Sequence, residues 1–129
     1  MKKILTYGTF DLLHLGHIRL LREAKKLGDY LIVGLSTDDF ALFKGKHTFY
    51  NYEQRKTILE AIKYVDEIVQ IHSFEEEKEF AINLKPDVFI IGNDYKGKFD
   101  YLKDYNTEVV YIERMPNISS SKIKETFNL

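Results

Sequence analysis

"HLGHIRLLREAKKLGDYLIVGLS", residues 14–36, sets two different periods back to back. In its first half Ile18, Leu21 and Ala24, with Leu20 and Leu27, share one stripe at helical spacing, and Gly28 supplies the stop. Its second half, "YLIVGLS", is a near-continuous apolar run, the pattern of a strand buried on both faces. A helix that runs into a doubly buried strand is the building unit of a parallel sheet enclosed between helices.

The alternation continues outward from this unit. "KKILTYG" precedes it as a first strand. Ser36, three residues before Asp39, is expected to cap a short helix. "FKGKHTFYN" reads as a loop, after which Asn51 and Gln54 match a capped start for the helix "YEQRKTILEAIKYV". "DEIVQI" is a strand, and Ser73 with Glu76 has capping-box spacing at the head of "SFEEEKEFAINL". Pro86 announces the strand "DVFIIG"; "FDYLKD" reads as a short helix, "EVVYI" as the fifth strand and "SSSKIKETF" as a terminal helix. These elements predict an α/β fold over residues 1–129, one domain. It is a Rossmann-like, doubly wound five-stranded parallel sheet with helices on both faces and right-handed crossovers.

Composition narrows the function. With 44 % hydrophobic and 30 % charged residues the chain has the balance of a soluble globular protein. Nineteen basic side chains face twenty acidic ones, so no broad basic face for nucleic acid is expected, although a local cationic pocket is allowed. The absence of cysteine excludes disulfides and thiolate zinc sites and fits a reducing, cytoplasmic setting. No apolar run approaches the ~20 residues that span a bilayer, so no membrane insertion is expected. Two lysines ahead of an apolar stretch faintly resemble a signal peptide, but Asp11 and His14 interrupt that stretch and no small-residue cleavage site follows.

In such sheets ligands bind beyond the carboxyl ends of the strands. The segments "GTFD", "STDD", "GNDY" and "RMPNISSSK" all fall there. His14 and His17, half of the chain's histidines, bracket Leu15 and Gly16 just after the first strand. From the residues alone three roles stay open. They could be two ligands of an incomplete metal site, two core fillers, or donors to a phosphate at a helix N-terminus. In the phosphate reading, Gly8 and Gly16 let the anion approach the backbone.

Together "YGTFDLLHLGHIRLL", "GDYLIVGLSTDDF", "YEQRKTILEAIKYVDEIV", "DVFIIGNDYKGKFDYLK" and "ISSSKIKE" resemble the nucleotidyltransferase superfamily with the HxGH motif. Within it they are similar to the bacterial glycerol-3-phosphate cytidylyltransferases over nearly the whole chain. The resemblance implies in-line attack of glycerol 3-phosphate on the α-phosphorus of CTP. The products are CDP-glycerol, for teichoic-acid-type polymers, and pyrophosphate. It implies catalytic roles for His14, His17, Lys44 and Arg114, with CTP held by Thr9, Phe10, His14, Gly16, His17, Lys46, Asp94, Arg114, Ser119, Ser120 and Ser121. Lys44, Arg55 and Lys78 are implied on the acceptor side, Arg55 being alternatively a surface helix charge or a dimer contact. Asp11 is expected to orient its loop and cap the first helix rather than bind metal. No protein metal site is expected; Mg²⁺ is expected to arrive on the triphosphate, whose roughly four charges exceed the nearby cations. A homodimer is implied as well. The chain departs from the family pattern at Met115, Pro116 and Asn117. It also carries Phe74 where relatives have tryptophan, and Glu77 where they place an acceptor lysine.

Overall fold

The computed structural model describes residues 1–114 and 118–129; the departures at Met115, Pro116 and Asn117 lie outside the described residues. Five parallel strands, β1 (Lys3–Gly8), β2 (Tyr30–Ser36), β3 (Glu67–Ile71), β4 (Val88–Gly92) and β5 (Glu108–Ile112), form one sheet in the order β3-β2-β1-β4-β5. Five α-helices flank it: α1 (Leu15–Lys26), α2 (Asp38–Phe43), α3 (Tyr52–Glu60), α4 (Phe74–Leu84) and α5 (Ser120–Phe127). The doubly wound sheet is therefore as expected, with "FDYLKD" as a 3₁₀ turn over Asp100–Tyr105.

Because the central strands are apolar on both sides, each face of the sheet has its own core. On one side Leu21 and Ala24 of α1 and Leu59 of α3 pack on Ile4, Val33 and Ile90. On the other, Phe40 of α2, Ala81 of α4 and Leu102 pack on Leu5, Ile32 and Phe89. Burial of this kind supplies roughly 25 cal/mol per Å² of apolar surface, and two faces double what one helix layer could contribute.

Two helix boundaries differ from expectation. Thr37, not Ser36, caps α2 by accepting from the Phe40 N–H; Ser36 is the last, buried residue of β2. Helix α3 stops at Glu60, although the apolar spacing runs on to Val65. Ala61 and Ile62 bond back only three residues, and Ile62, Tyr64 and Val65 pack against the core as a turn. Tertiary burial outweighs helical periodicity there. The predicted caps at Asn51 and Ser73 are present; Glu76 closes on the N–H of His72 rather than of Ser73.

The strand order reverses between β1 and β4. Strand β1 pairs with β2 along six positions, from Lys3–Tyr30 to Gly8–Leu35. With β4 it pairs only at Ile4–Val88 and Leu5–Phe89. Beyond those pairs the two strands part, which opens a crevice at the point where such folds hold ligands.

Candidate active site

The crevice is a cavity of about 640 Å³. Its floor is the carboxyl ends of β1 and β4, and its walls are the N-termini of α1 and α5. His14 and His17 stand at the first wall. His14 is the N-cap of α1, and its Nδ1 accepts from the Gly16 N–H at 3.0 Å. The Nδ1 of His17 accepts in turn from the His14 N–H at 3.2 Å. An imidazole nitrogen that accepts carries no proton, so both rings are fixed as the Nε2–H tautomer. Each has one donor left for the cavity. The rings stack at 3.8 Å between centroids, which disfavours charging both at once. Burial, then the neighbouring His14 and Lys46, push the His17 pKa down to about 3. Burial and Arg114 lower that of His14. In the free protein these are neutral hydrogen-bond donors.

Gly16 serves this pair by its missing side chain. A Cβ there meets the His14 ring at 2.9 Å, and one at Gly8 meets the Phe10 ring at 2.6 Å. The two glycines make room for rings rather than for the anion itself. Phe10 and Leu12 sit at φ +49° and +48°, a left-handed backbone that costs non-glycine residues of order 1 kcal/mol each. The loop tolerates this because it is tied on every side. Phe10 is buried and its ring meets that of His17 edge-on, while the Thr9 carbonyl accepts from Arg55. The Thr9 hydroxyl is buried with no hydrogen-bond partner among the described residues.

Asp11 orients the loop but does not cap α1. Its carboxylate accepts from the Phe49 and Tyr50 N–H groups at 2.6 and 3.0 Å and pairs with Lys124 of α5 at 2.8 Å. Those donors hold its pKa below the usual carboxylate range despite burial. Ser120 donates to the Asp11 carbonyl, and Ser119 caps α5 by accepting from the Lys122 N–H. Loop and terminal helix are thus one unit, and Ser119, Ser120 and Ser121 all line the cavity.

Other cations gather here. Lys46 lines the cavity and has no ion pair among the described residues. Arg114 lines it too, paired with Asp94 at 2.8 Å, so each of these exposed groups now neutralises the other. Arg19 and Lys124, which the sequence reading missed, also line it. Arg19 holds the Glu113 carbonyl at 2.6 Å. Both look like ordinary helix-surface charges in sequence. Their spacing from the motif residues, two after His17 and five after Ser119, is not one that shares a helix face, so it marked neither of them.

Three expected acceptor residues lie outside this cavity lining. Arg55 is neither a surface charge nor a cavity residue. It is fully buried, donating to the Tyr50, Thr9 and Ser36 carbonyls and pairing with Asp38 at 2.7 Å. Its donors are engaged by the protein. Lys78 lies over the Tyr101 ring. Lys44 donates to the Ser36 hydroxyl at 2.8 Å, and burial pushes its pKa down to about 8. Among the described residues no three His, Cys, Asp or Glu side chains converge to hold a metal, and Asp11 and Asp94 are already paired.

A parallel sheet with a cavity at its switch point, walled by two helix N-termini and a pair of donor imidazoles, defines a nucleotide-binding α/β protein. The chain belongs to the cytidylyltransferase-like family of nucleotidyltransferases, which it matches over residues 5–126. It is 56 % identical to the glycerol-3-phosphate cytidylyltransferase of Bacillus subtilis, over 97 % of this chain and 96 % of that protein. It is 50 % identical to that of Staphylococcus aureus, over 97 % and 94 %. Among solved structures, a lipopolysaccharide core biosynthesis protein from Thermoplasma volcanium superposes with a TM-score of 0.76 at 32 % identity, covering 89 % of this chain and 98 % of that one.

Proposed function

We propose that the chain transfers the cytidylyl group of CTP to glycerol 3-phosphate. An acceptor phosphate oxygen forms a bond to the α-phosphorus as the bond from that phosphorus to the α–β bridging oxygen breaks, and pyrophosphate leaves. The protein supplies position and fixed donors, which is where most of the rate in such transfers originates. His14 and His17 offer Nε2–H to the α-phosphoryl oxygens and to the leaving group, whose charge grows in the transition state. Because the Nδ1 atoms are held by backbone N–H groups, the donors need no reorganisation. Lys46 and the N-terminus of α5, with Arg114 released from Asp94, face the β- and γ-phosphates. Thr9 and Phe10 face CTP across the loop.

The reciprocally held histidine pair carries this reading of the chemistry; the 50–56 % identities to two curated relatives support the donor and acceptor. The test is direct. CTP and glycerol 3-phosphate with the purified chain are expected to give equal amounts of pyrophosphate and CDP-glycerol, seen by ³¹P NMR. No pyrophosphate from this pair, with release from another nucleotide or phosphorylated alcohol, overturns the assignment.

Mg²⁺ enters this reading as a partner of the triphosphate, offsetting charge that Lys46 and Arg114 leave uncompensated. Turnover that is unchanged in excess EDTA removes it. The chain acts as a homodimer in the cytoplasm, and its product serves teichoic-acid-type polymers. Sedimentation as a monomer at all concentrations rules out the dimer. No helix among the described residues is long and apolar enough to cross a membrane.

A further inference from the structure

The cavity has two chemically different ends. At one, Lys46 and the N-terminus of α5 stand over the β1–β2 side of the sheet, because Lys124 ties α5 to Asp11 after β1 and to the His47 carbonyl after α2. At the other, over the ends of β4 and β5, the lining is Gly92, Tyr95, Ile112 and Glu113. A CTP whose α-phosphate meets the histidine donors, and whose β- and γ-phosphates take the cationic end, leaves its nucleoside for the β4–β5 end. Arg19 lines the cavity there, and the proposed chemistry gives it no task. From the second turn of α1 its Nη1 donates to the carbonyl of Glu113, the residue after β5, at 2.6 Å. Its Nε and Nη2 have no partner among the described residues. With one nitrogen anchored, the planar group presents the two parallel N–H groups of its Nε–Nη2 edge together.

Two adjacent donors call for two adjacent acceptors. Along the edge that a base uses for Watson–Crick pairing, only cytosine offers them, at O2 and N3, set about a common carbon like the two oxygens of a carboxylate. Uracil turns N3–H toward the guanidinium, donor against donor. Adenine sets N1 between a C–H and an amino group, and guanine sets O6 beside N1–H. Guanine has an acceptor pair only on its other edge, at N7 and O6. We infer that Arg19 is a specificity-determining residue that reads the O2–N3 edge of cytosine and so selects CTP among the nucleoside triphosphates. This deepens the reading under Proposed function and rests on it for the direction in which CTP lies.

The experiment is calorimetry on the wild-type chain and Arg19→Met with CTP, UTP, ATP, GTP, dCTP and the 4-deamino analogue of CTP, which keeps O2 and N3 but lacks the amino group. A bidentate pair discriminates between bases by about 10- to 100-fold. The wild type is expected to bind the 4-deamino analogue more tightly than UTP by that factor. Arg19→Met is expected to bring the two within about threefold and to weaken CTP and dCTP equally, with KM for glycerol 3-phosphate unchanged. A guanidinium that only attracts the triphosphate, or only holds the segment after β5, lowers every affinity alike. An unaltered ratio in Arg19→Met therefore overturns the inference. A loss for CTP with dCTP spared overturns it too, because Arg19 then reads the ribose. A wild type that binds UTP as tightly as the 4-deamino analogue overturns it with no variant needed. CTP that binds with this dependence on Arg19 but yields no pyrophosphate with glycerol 3-phosphate faults the acceptor and leaves Arg19 its role. A wild type that binds ATP or GTP in preference to CTP overturns the donor and the inference together.

Discussion

Gly16 shows how much one absent methyl group decides. Alanine is the better helix former, worth up to about 1 kcal/mol over glycine inside a helix. Yet its Cβ lies 2.9 Å from the His14 ring, which must swing away and release the Gly16 N–H. Gly16→Ala is expected to melt within a few degrees of the wild type while kcat falls at least tenfold; an unimpaired kcat shows that the ring's place does not matter. His14→Ala and His17→Ala are each expected to lower kcat by about 10²–10³-fold, the usual effect of losing one preorganised donor. Pyrophosphate release measures both. His17 has a second signature. Its folded pKa of about 3 lies below the ordinary 6.5, so the unfolded chain binds more protons between those values. Stability from this group is complete above pH 6.5 and declines as pH falls toward 3. Glu77, pushed up to about 7, acts in the opposite direction between pH 4.5 and 7, so the wild-type profile alone mixes the two. The difference between wild type and His17→Asn isolates the histidine. From pH 6.5 to 5 the wild type is expected to lose roughly 2 kcal/mol more than the variant in urea unfolding. Equal losses count against a buried neutral ring.

At the scale of elements, Arg55 joins what the chain keeps apart. From α3 it holds the end of β1 through Thr9, the end of β2 through Ser36, the head of α2 through Asp38 and the loop at Tyr50. Arg55→Met strands two buried carbonyls, of Thr9 and Ser36, and the part-buried one of Tyr50, and is expected to cost about 3 kcal/mol by chemical denaturation. Asp38→Asn, at a side chain 49 % exposed, is expected to cost under about 1 kcal/mol. Comparable costs for the two place the burden on the ion pair rather than on the carbonyls. The terminal helix has its own tether in Lys124, whose ammonium reaches Asp11 and the His47 carbonyl. Lys124→Ala is expected to weaken CTP binding about tenfold in calorimetry through loss of this charge-assisted contact; unaltered affinity means that α5 holds its place without it. Such ties explain what a reader of the sequence can and cannot find. Doubly buried strands such as β2 announce themselves as apolar runs, and Asn51 or Ser119 announces a helix start by local chemistry. Arg55, in contrast, acts across 46 residues to Thr9 and looks like any helix charge. The capping role given to Asp11 was wrong for the same reason: its partners, Phe49, Tyr50 and Lys124, are far along the chain.

For the whole molecule, the cavity exists because β1 and β4 pair at two positions and then separate. A nucleotide seated there bridges the two halves of the sheet and the terminal helix. CTP at a hundred times its Kd is expected to stabilise the fold by about 2.7 kcal/mol. Hydrogen exchange is expected to slow at residues 8–17, 92–94 and 118–124, with β3 unchanged. Protection spread evenly over all five strands is the opposing result.

The left-handed backbone at Phe10 and Leu12 bears on the time course of that event. Arg55, Asp11 and the buried Phe10 ring fix the loop's awkward dihedrals while the chain is folding. The unfavourable conformation is thus met once per folding event and not once per catalytic cycle. An incoming nucleotide finds this loop already set, with only the exposed Arg114–Asp94 pair to exchange, so its association is expected to follow a single exponential whose rate grows linearly with concentration. A plateau at high concentration reveals instead a loop that must first rearrange.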